Sequence, residues 1–385
     1  MSRLGLLHDA GVSIWLDTLS RGLLETGEFA RLIDEDAVTG ATSNPTIFAN
    51  AIMGSDRYDD QLHDLAGSGV TDLREAFFAL ALDDVRTAAD ALRPAYERSG
   101  GRDGFVSFEC TPDLADDAGA TIGQALDLWE RLAAANVMIK VPATEAGLPA
   151  IEELTRRGVN VNVTLLFAVE RYEQVIDAYL RGLEARTAAG QPLDTIASVA
   201  SFFVSRIDVK ADAVLDRDSP LRGRVAIANA RIAYQRYLTW FAGERWEALR
   251  RVGARSQLPL WASTGTKDPA YSDVLYVEQL IGPDVVNTMP EATLRAFADH
   301  GRVARTLDAD PGEAERTLDA ARAAGVDLER VTAELTREGV QAFCASYRQL
   351  LDRIQSKLPR LGHETLTIET PRPLTAATHP PRWDP

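Results

Sequence analysis

The sequence predicts an α/β protein: a parallel (β/α)8 TIM-type barrel with extra helices and an extended C-terminal tail. Three observations lead there. Eight short, β-rich apolar runs recur along the chain. Stretches with helical period separate them. The runs are mostly apolar on both faces, as parallel strands are when helices cover a closed sheet. A doubly wound open sheet is the alternative reading.

The runs are Val12 to Thr18, Ala37 to Asn44, Gly104 to Thr111, Asn136 to Ala143, Val159 to Phe167, Thr195 to Ile207, Leu258 to Thr266 and Val285 to Met289. Between the fifth and sixth, Tyr172, Val175, Ile176, Tyr179 and Leu183 recur at three and four and mark one helical face. Asn44-Pro45, Asp268-Pro269 and Pro290-Glu291 read as helix starts, with proline early in the first turn. Two helical stretches exceed what a barrel unit needs. One runs from about Arg222 to Val252, with Ile227, Tyr234, Leu238 and Phe241 on a stripe; the other is Leu328 to Leu358, with Leu335, Phe343, Tyr347, Leu351 and Ile354. Five prolines from Thr370 onward leave little periodicity. Residues 1–369 therefore read as a single barrel domain with C-terminal helices, and 370–385 as an extended or disordered tail.

The composition narrows the partners. Hydrophobic residues make up 45% and charged residues 25% of the 385, which suits a large globular core. A net charge of −16 argues against nucleic-acid and anionic-membrane surfaces. Cys110 and Cys344 are far apart and lack histidine companions, so neither a disulfide framework nor a zinc site is indicated. The N-terminal apolar run is too short for a secretory signal, and no run approaches the roughly 18 apolar residues of a membrane span. Asn162-Val163-Thr164 matches a glycosylation sequon, which without a secretory signal reads as chance. A cytoplasmic protein is expected.

The fourth run, Asn136-Val137-Met138-Ile139-Lys140-Val141-Pro142-Ala143-Thr144, holds one of only four lysines among 41 basic residues. Two readings compete for Lys140. In one it snorkels from a strand edge; in the other desolvation in an apolar strand lowers its pKa and leaves a free amine, as a Schiff-base nucleophile requires. The wider pattern favours the second. In a parallel barrel, chemistry is built at the carboxyl ends of the strands. Asp17 ends the first run, Ser43-Asn44 the second and Glu109 the third; Lys140 sits late in the fourth, Asn162 and Thr164 in the fifth, Ser201 and Arg206 in the sixth, and Ser263 to Lys267 close the seventh. Asp17 and Asn44 each have a local alternative, as caps of helices beginning at Thr18 and Pro45. Alternation puts Phe108 and Cys110 opposite Glu109, and Asn162 with Thr164 on one face.

The stretch Trp261 to Pro269 sets hydroxyls, a glycine and Lys267 where a strand would meet a helix N-terminus, a setting that favours phosphate, with Arg206 as a fork-shaped partner. No Walker loop and no GxGxxG follow a strand, and neither HExxH nor a histidine cluster is present. Nucleotide binding, a metal and a Ser-His-Asp mechanism are therefore unsupported.

Ala41-Thr42-Ser43-Asn44-Pro45-Thr46-Ile47-Phe48, Ile139-Lys140-Val141-Pro142-Ala143-Thr144, Val161-Asn162-Val163-Thr164-Leu165-Leu166-Phe167 and Ala262-Ser263-Thr264-Gly265-Thr266-Lys267 resemble the signature segments of transaldolases, in order, between about Val12 and Phe297. The resemblance implies a cofactor-independent class I aldolase barrel of the non-oxidative pentose phosphate pathway. It would move a dihydroxyacetone unit between sedoheptulose 7-phosphate or fructose 6-phosphate and glyceraldehyde 3-phosphate or erythrose 4-phosphate. It makes Lys140 the Schiff-base lysine, Asp17 the base at the C4 hydroxyl, and Glu109 the acid/base acting through a water with Thr164. Asn44, Asn162 and Ser201 would hold the dihydroxyacetone part, Phe203 would line its pocket, and Arg206, Ser263 and Lys267 would bind phosphate. The expected partners are small-molecule sugar phosphates, with no nucleic acid and no membrane, and the expected assembly is a monomer or homodimer.

The match has departures. Thr-Gly-Thr-Lys follows Ser263 where another branch has a Phe-Arg pair, and Cys110 and Ser205 differ from commoner residues. Two other functions compete: a simple fructose-6-phosphate-type aldolase, whose short relatives carry glutamine and tyrosine in place of Glu109 and Phe203, and a non-catalytic sugar-phosphate-binding barrel.

Overall fold

In the computed structural model, which describes residues 2–358, eight parallel strands close into a barrel in sequence order. They are β1 (Val12–Leu16), β2 (Val38–Thr42), β3 (Val106–Glu109), β4 (Val137–Pro142), β5 (Val161–Leu166), β6 (Ser198–Phe203), β7 (Leu258–Ala262) and β8 (Val285–Met289). All eight predicted runs contain a strand, and the closed order replaces the open-sheet alternative. Every predicted run except the last is longer than its strand, because its apolar and small residues continue into the flanking turns.

Register decides what meets inside. Glu109 pairs with Lys140, Lys140 with Asn162 and Pro142 with Thr164, so three neighbouring strands present their polar residues at one level. Below them the barrel is closed by Trp15, whose indole lies across Gly40: a Cβ there would meet the ring at 2.5 Å. Trp15 Nε1 donates to Asp103 Oδ1 at 2.9 Å. Outside the sheet, Phe108 packs edge-on against Phe48 and Phe78 and lies tilted against Phe77, which puts the alternation around Glu109 where the sequence placed it.

The long Leu328–Lys357 helix matches its prediction and packs back over the Pro45–Met53 helix and the end of β5. Gly339 permits this approach, since a Cβ there would lie 2.8 Å from Leu165 Cδ2. Lys210 ties the helix to the barrel through Glu334 at 3.1 Å and Glu338 at 2.7 Å.

Three expectations need correction. The Arg222 to Val252 stretch is two helices, Val225–Trp240 and Glu244–Arg250. The chain turns between them at Ala242 and Gly243, with Phe241 packed edge-on against Trp246 at 4.8 Å, and Leu238 of that stripe is 45% exposed. Arg206 lies in the first turn of the Ser205–Asp212 helix, not in β6, which ends at Phe203. Asp268-Pro269 opens a turn, in which Asp268 Oδ1 accepts from Ala270 N at 2.9 Å, and the next helix begins only at Leu275. The predicted tail, 370–385, lies outside the described residues. Among the described residues no helix is long and apolar enough to cross a membrane.

Candidate active site

Lys140 is 5% exposed at the end of β4. Its Nζ donates to the Ser43 carbonyl at 3.0 Å and stands 3.9 Å from Glu109 Oε1. That second distance exceeds a hydrogen bond but keeps the two groups close in a buried site. Burial pushes the Glu109 carboxyl up to about 7; Lys140 opposes the rise and the charge of Asp17 adds to it. Glu109 Oε2 and Thr164 Oγ1 are both buried without a hydrogen-bond partner among the described residues. Buried polar groups are normally paired, so two orphans beside a buried lysine mark a site for chemistry.

The backbone helps to present Thr164. Leu165 holds φ +56°, and the β5–β6 register shifts between Val163 and Leu166. Left-handed geometry at a leucine is unfavourable, and its occurrence at the rim fits a site that the surrounding structure constrains. Asn162 is fixed at both ends of its amide: Nδ2 donates to Ser107 Oγ at 2.9 Å and Oδ1 accepts from Ser201 Oγ at 2.7 Å. One amide N–H remains for a ligand.

Asp17 does not cap a helix. The helix after β1 begins at Arg21 and is capped by Ser20. Asp17 Oδ1 instead accepts from Thr42 Oγ1 at 2.7 Å. Burial raises the Asp17 pKa above the usual carboxylate range, while Thr42 and the charges of Lys140, Lys267 and Arg206 all act to lower it. These three cations therefore converge on one carboxylate. Asn44, by contrast, does cap its helix: Oδ1 accepts from Ile47 N at 3.0 Å, leaving the amide N–H groups for a ligand.

The cationic end lies across β6 and β7. Arg206 stacks over Phe203, 5.4 Å from the ring centroid, and Phe203 packs on Phe167 at 5.2 Å. Among the described residues no hydrogen bond or ion pair engages the Arg206 guanidinium, whose pKa burial pushes down while the charge of Asp17 opposes the fall. Ser263 has φ +56° and lies 3.0 Å from Ser205 through the two hydroxyls. Lys267 is exposed at the end of this loop. The loop after β7 does not lead directly into a helix, the next one starting at Leu275, so the anion-binding character rests on Arg206, Lys267 and the hydroxyls rather than on a helix N-terminus at Asp268-Pro269. Among the described residues no His/Cys/Asp/Glu group is suited to hold a metal ion.

Register and contacts bring Glu109, Lys140, Asn162, Thr164 and Ser201 together on adjoining strands, and the charges of Lys140, Arg206 and Lys267 reach Asp17, but the sequence reading missed the residues that hold them. Thr42 and Thr288 sit 2.8 Å apart behind Asp17. Ser107 anchors Asn162. The Thr264 hydroxyl shares its one proton between Asn287 Oδ1 at 3.0 Å and the Thr288 carbonyl at 3.1 Å, fixing the loop that carries Ser263 and Lys267. Strict alternation from Ser107 to Glu109, and from Thr42 to Asn44, carried the only signal for them.

A family model described as transaldolase/fructose-6-phosphate aldolase matches residues 14–354. The chain is 50% identical over 361 residues to the transaldolase of Saccharopolyspora erythraea, covering 93% of this chain and 98% of that protein. It is 49% identical over 362 residues to the transaldolase of Frankia alni, covering 92% and 97%, and 50% identical over 362 residues to transaldolase 1 of Streptomyces coelicolor, covering 92% and 95%. With the closed barrel and the buried lysine already in place, the chain belongs to the transaldolase/fructose-6-phosphate aldolase family.

Proposed function

We propose that the chain is a cytoplasmic transaldolase of the non-oxidative pentose phosphate pathway. It transfers a dihydroxyacetone unit from sedoheptulose 7-phosphate or fructose 6-phosphate to glyceraldehyde 3-phosphate or erythrose 4-phosphate. The observation that carries this reading is Lys140: buried, 3.9 Å from Glu109, and level with Asn162 in the barrel.

The Lys140 amine attacks the C2 ketone and forms a carbinolamine. Glu109, with a pKa near 7, both gives and takes protons at working pH. A water shared by Glu109 Oε2 and Thr164 Oγ1 satisfies both orphans and relays the proton that lets the C2 hydroxyl leave as water. The resulting iminium is the electron sink. Asp17 takes the proton of the C4 hydroxyl, the C3–C4 electron pair flows toward the iminium, and the shortened aldose departs. The three-carbon enamine stays on Lys140, held by the remaining N–H groups of Asn44 and Asn162 and by Ser201. An incoming aldehyde then forms the new C–C bond, its oxygen takes the proton back from Asp17, and water releases the ketose and regenerates the amine. Arg206, Ser263 and Lys267 grip the phosphate.

Borohydride reduction in the presence of fructose 6-phosphate tests the reading, because it converts the iminium to a stable adduct. An adduct on Lys140 supports it; an adduct on another lysine, or none, refutes it. Glu109 and Phe203 argue against the simple aldolase, since a relay centred on glutamine and tyrosine is not what this mouth contains. Release of free dihydroxyacetone without transfer to an acceptor would restore that alternative.

A further inference from the structure

A second cationic cavity, of about 250 Å³, lies outside the barrel between the helices Val225–Trp240, Leu275–Gln279 and Pro311–Ala323. Arg222, Arg224 and Arg231 line it together with Tyr271, Gln279 and Thr317, and a single carboxylate, Glu313, answers them. Arg224 and Arg231 share that carboxylate at 3.3 and 3.1 Å. Arg222 reaches only Asp268, at 3.6 Å, besides the Asp212 carbonyl at 2.6 Å.

Arg231 is the distinctive member. It is 8% exposed, Nη2 donates to Gln279 Oε1 at 3.1 Å, and Nε is buried without a partner. Burying a guanidinium with a donor unsatisfied is costly, and in a chain of net charge −16 two arginines sharing one glutamate, with a third beside them on Asp268, are not a solubilising surface. The pocket is also pre-formed: Gly223, at φ +70°, lies under the Tyr271 ring, where a Cβ would be 3.0 Å from Cζ. Tyr271 is fixed in turn by its 2.6 Å hydrogen bond to Asp212. Ile227, Ala228, Leu275 and Ala314 add an apolar wall.

The structure assigns this cavity as a second anion site that takes the phosphate group of a small phosphomonoester, with the phosphate on the arginines and the carbon chain on the apolar wall. Forked guanidinium donors match phosphate oxygens. The volume accommodates a compound of a few carbons and excludes a dinucleotide. The site is distinct from the phosphate grip proposed at the barrel mouth.

Titration calorimetry with inorganic phosphate and, in parallel, glycerol 3-phosphate tests it on the wild type, R224E, T317W and R206A. Arg224 is exposed, so its reversal should spare the fold; T317W fills the cavity without changing charge, and thermal unfolding checks both. The wild type should bind two phosphate groups per chain. R224E and T317W should lose one or weaken it at least about tenfold, as expected for a lost charge-assisted hydrogen bond. Tighter binding of glycerol 3-phosphate than of phosphate at that site identifies the phosphomonoester; equal binding identifies free phosphate as the source of the same chemistry. Unchanged binding in R224E and T317W overturns the assignment. Unchanged binding in R206A, with loss in R224E, leaves the cavity standing and refutes the phosphate role at the mouth.

Discussion

Thr42 Oγ1 lies 2.7 Å from Asp17 Oδ1 and 2.8 Å from Thr288 Oγ1. A hydroxyl has one proton to donate, and an ionised carboxylate only accepts. Thr42 therefore donates to Asp17 and accepts from Thr288, and the chain β8 to β2 to β1 has a fixed direction. T42V removes a contact that lowers the Asp17 pKa. The acid limb of the kcat/KM profile should move to higher pH, because the carboxylate loses a hydrogen bond that favours its charged form. T288V should shift the same limb less. An unmoved limb in T42V would separate Asp17 from the catalytic ionisation.

Glu109 sits near pH 7 because burial outweighs the pull of Lys140. E109Q cannot exchange protons, so kcat should fall by about 10²–10⁴. The inflection near pH 7 should vanish from its pH–rate profile. An inflection that persists in E109Q belongs to another group.

Arg206 is held by Phe203 and by no ion pair among the described residues, which leaves its guanidinium for a ligand. R206A should raise KM for phosphorylated donors by about 10- to 100-fold with a smaller change in kcat. D-glyceraldehyde, an acceptor without phosphate, should be little affected. K267A should have a weaker effect, because Lys267 is exposed and water screens its charge.

Away from the mouth, Asp208 is buried at 1% exposure, accepting from Ala226 N at 2.8 Å and Tyr276 Oη at 2.9 Å. Burial pushes its carboxyl up to about 7. A carboxyl whose folded pKa lies above its unfolded value holds its proton more tightly when folded. The native state thus loses stability as pH rises from about 4 to 7, the reverse of the usual carboxylate. D208N should match the wild type near pH 4 and exceed it by on the order of 2–4 kcal/mol at pH 8. Equal pH dependence in denaturant melts of the two proteins would contradict this.

The barrel was legible because its strands are apolar on both faces and evenly spaced, and Lys140, Glu109 and Asn162 stood out as polar residues inside such runs. What stayed hidden depends on distance between strands. Nothing in the run Val285 to Met289 announces that Thr288 meets Thr42, 246 residues away. Helix starts were read correctly where the side chain itself caps, as at Asn44, and wrongly at Asp268, where the same Asx-Pro signal ends in a turn. Arg206 was assigned to a strand because Thr195 to Ile207 is continuously apolar apart from short polar residues. The break after Phe203 comes from the Val204 backbone and the Ser205–Ser263 contact, which no local pattern encodes.

The central claim is that Lys140 carries the substrate carbon chain during turnover. Borohydride trapping with fructose 6-phosphate, followed by peptide mass mapping, tests it most directly. The expected result is one reduced three-carbon or six-carbon adduct, confined to Lys140 and abolished in K140A. An adduct on Lys210, Lys267 or Lys357, or full transfer activity in K140A, would contradict it.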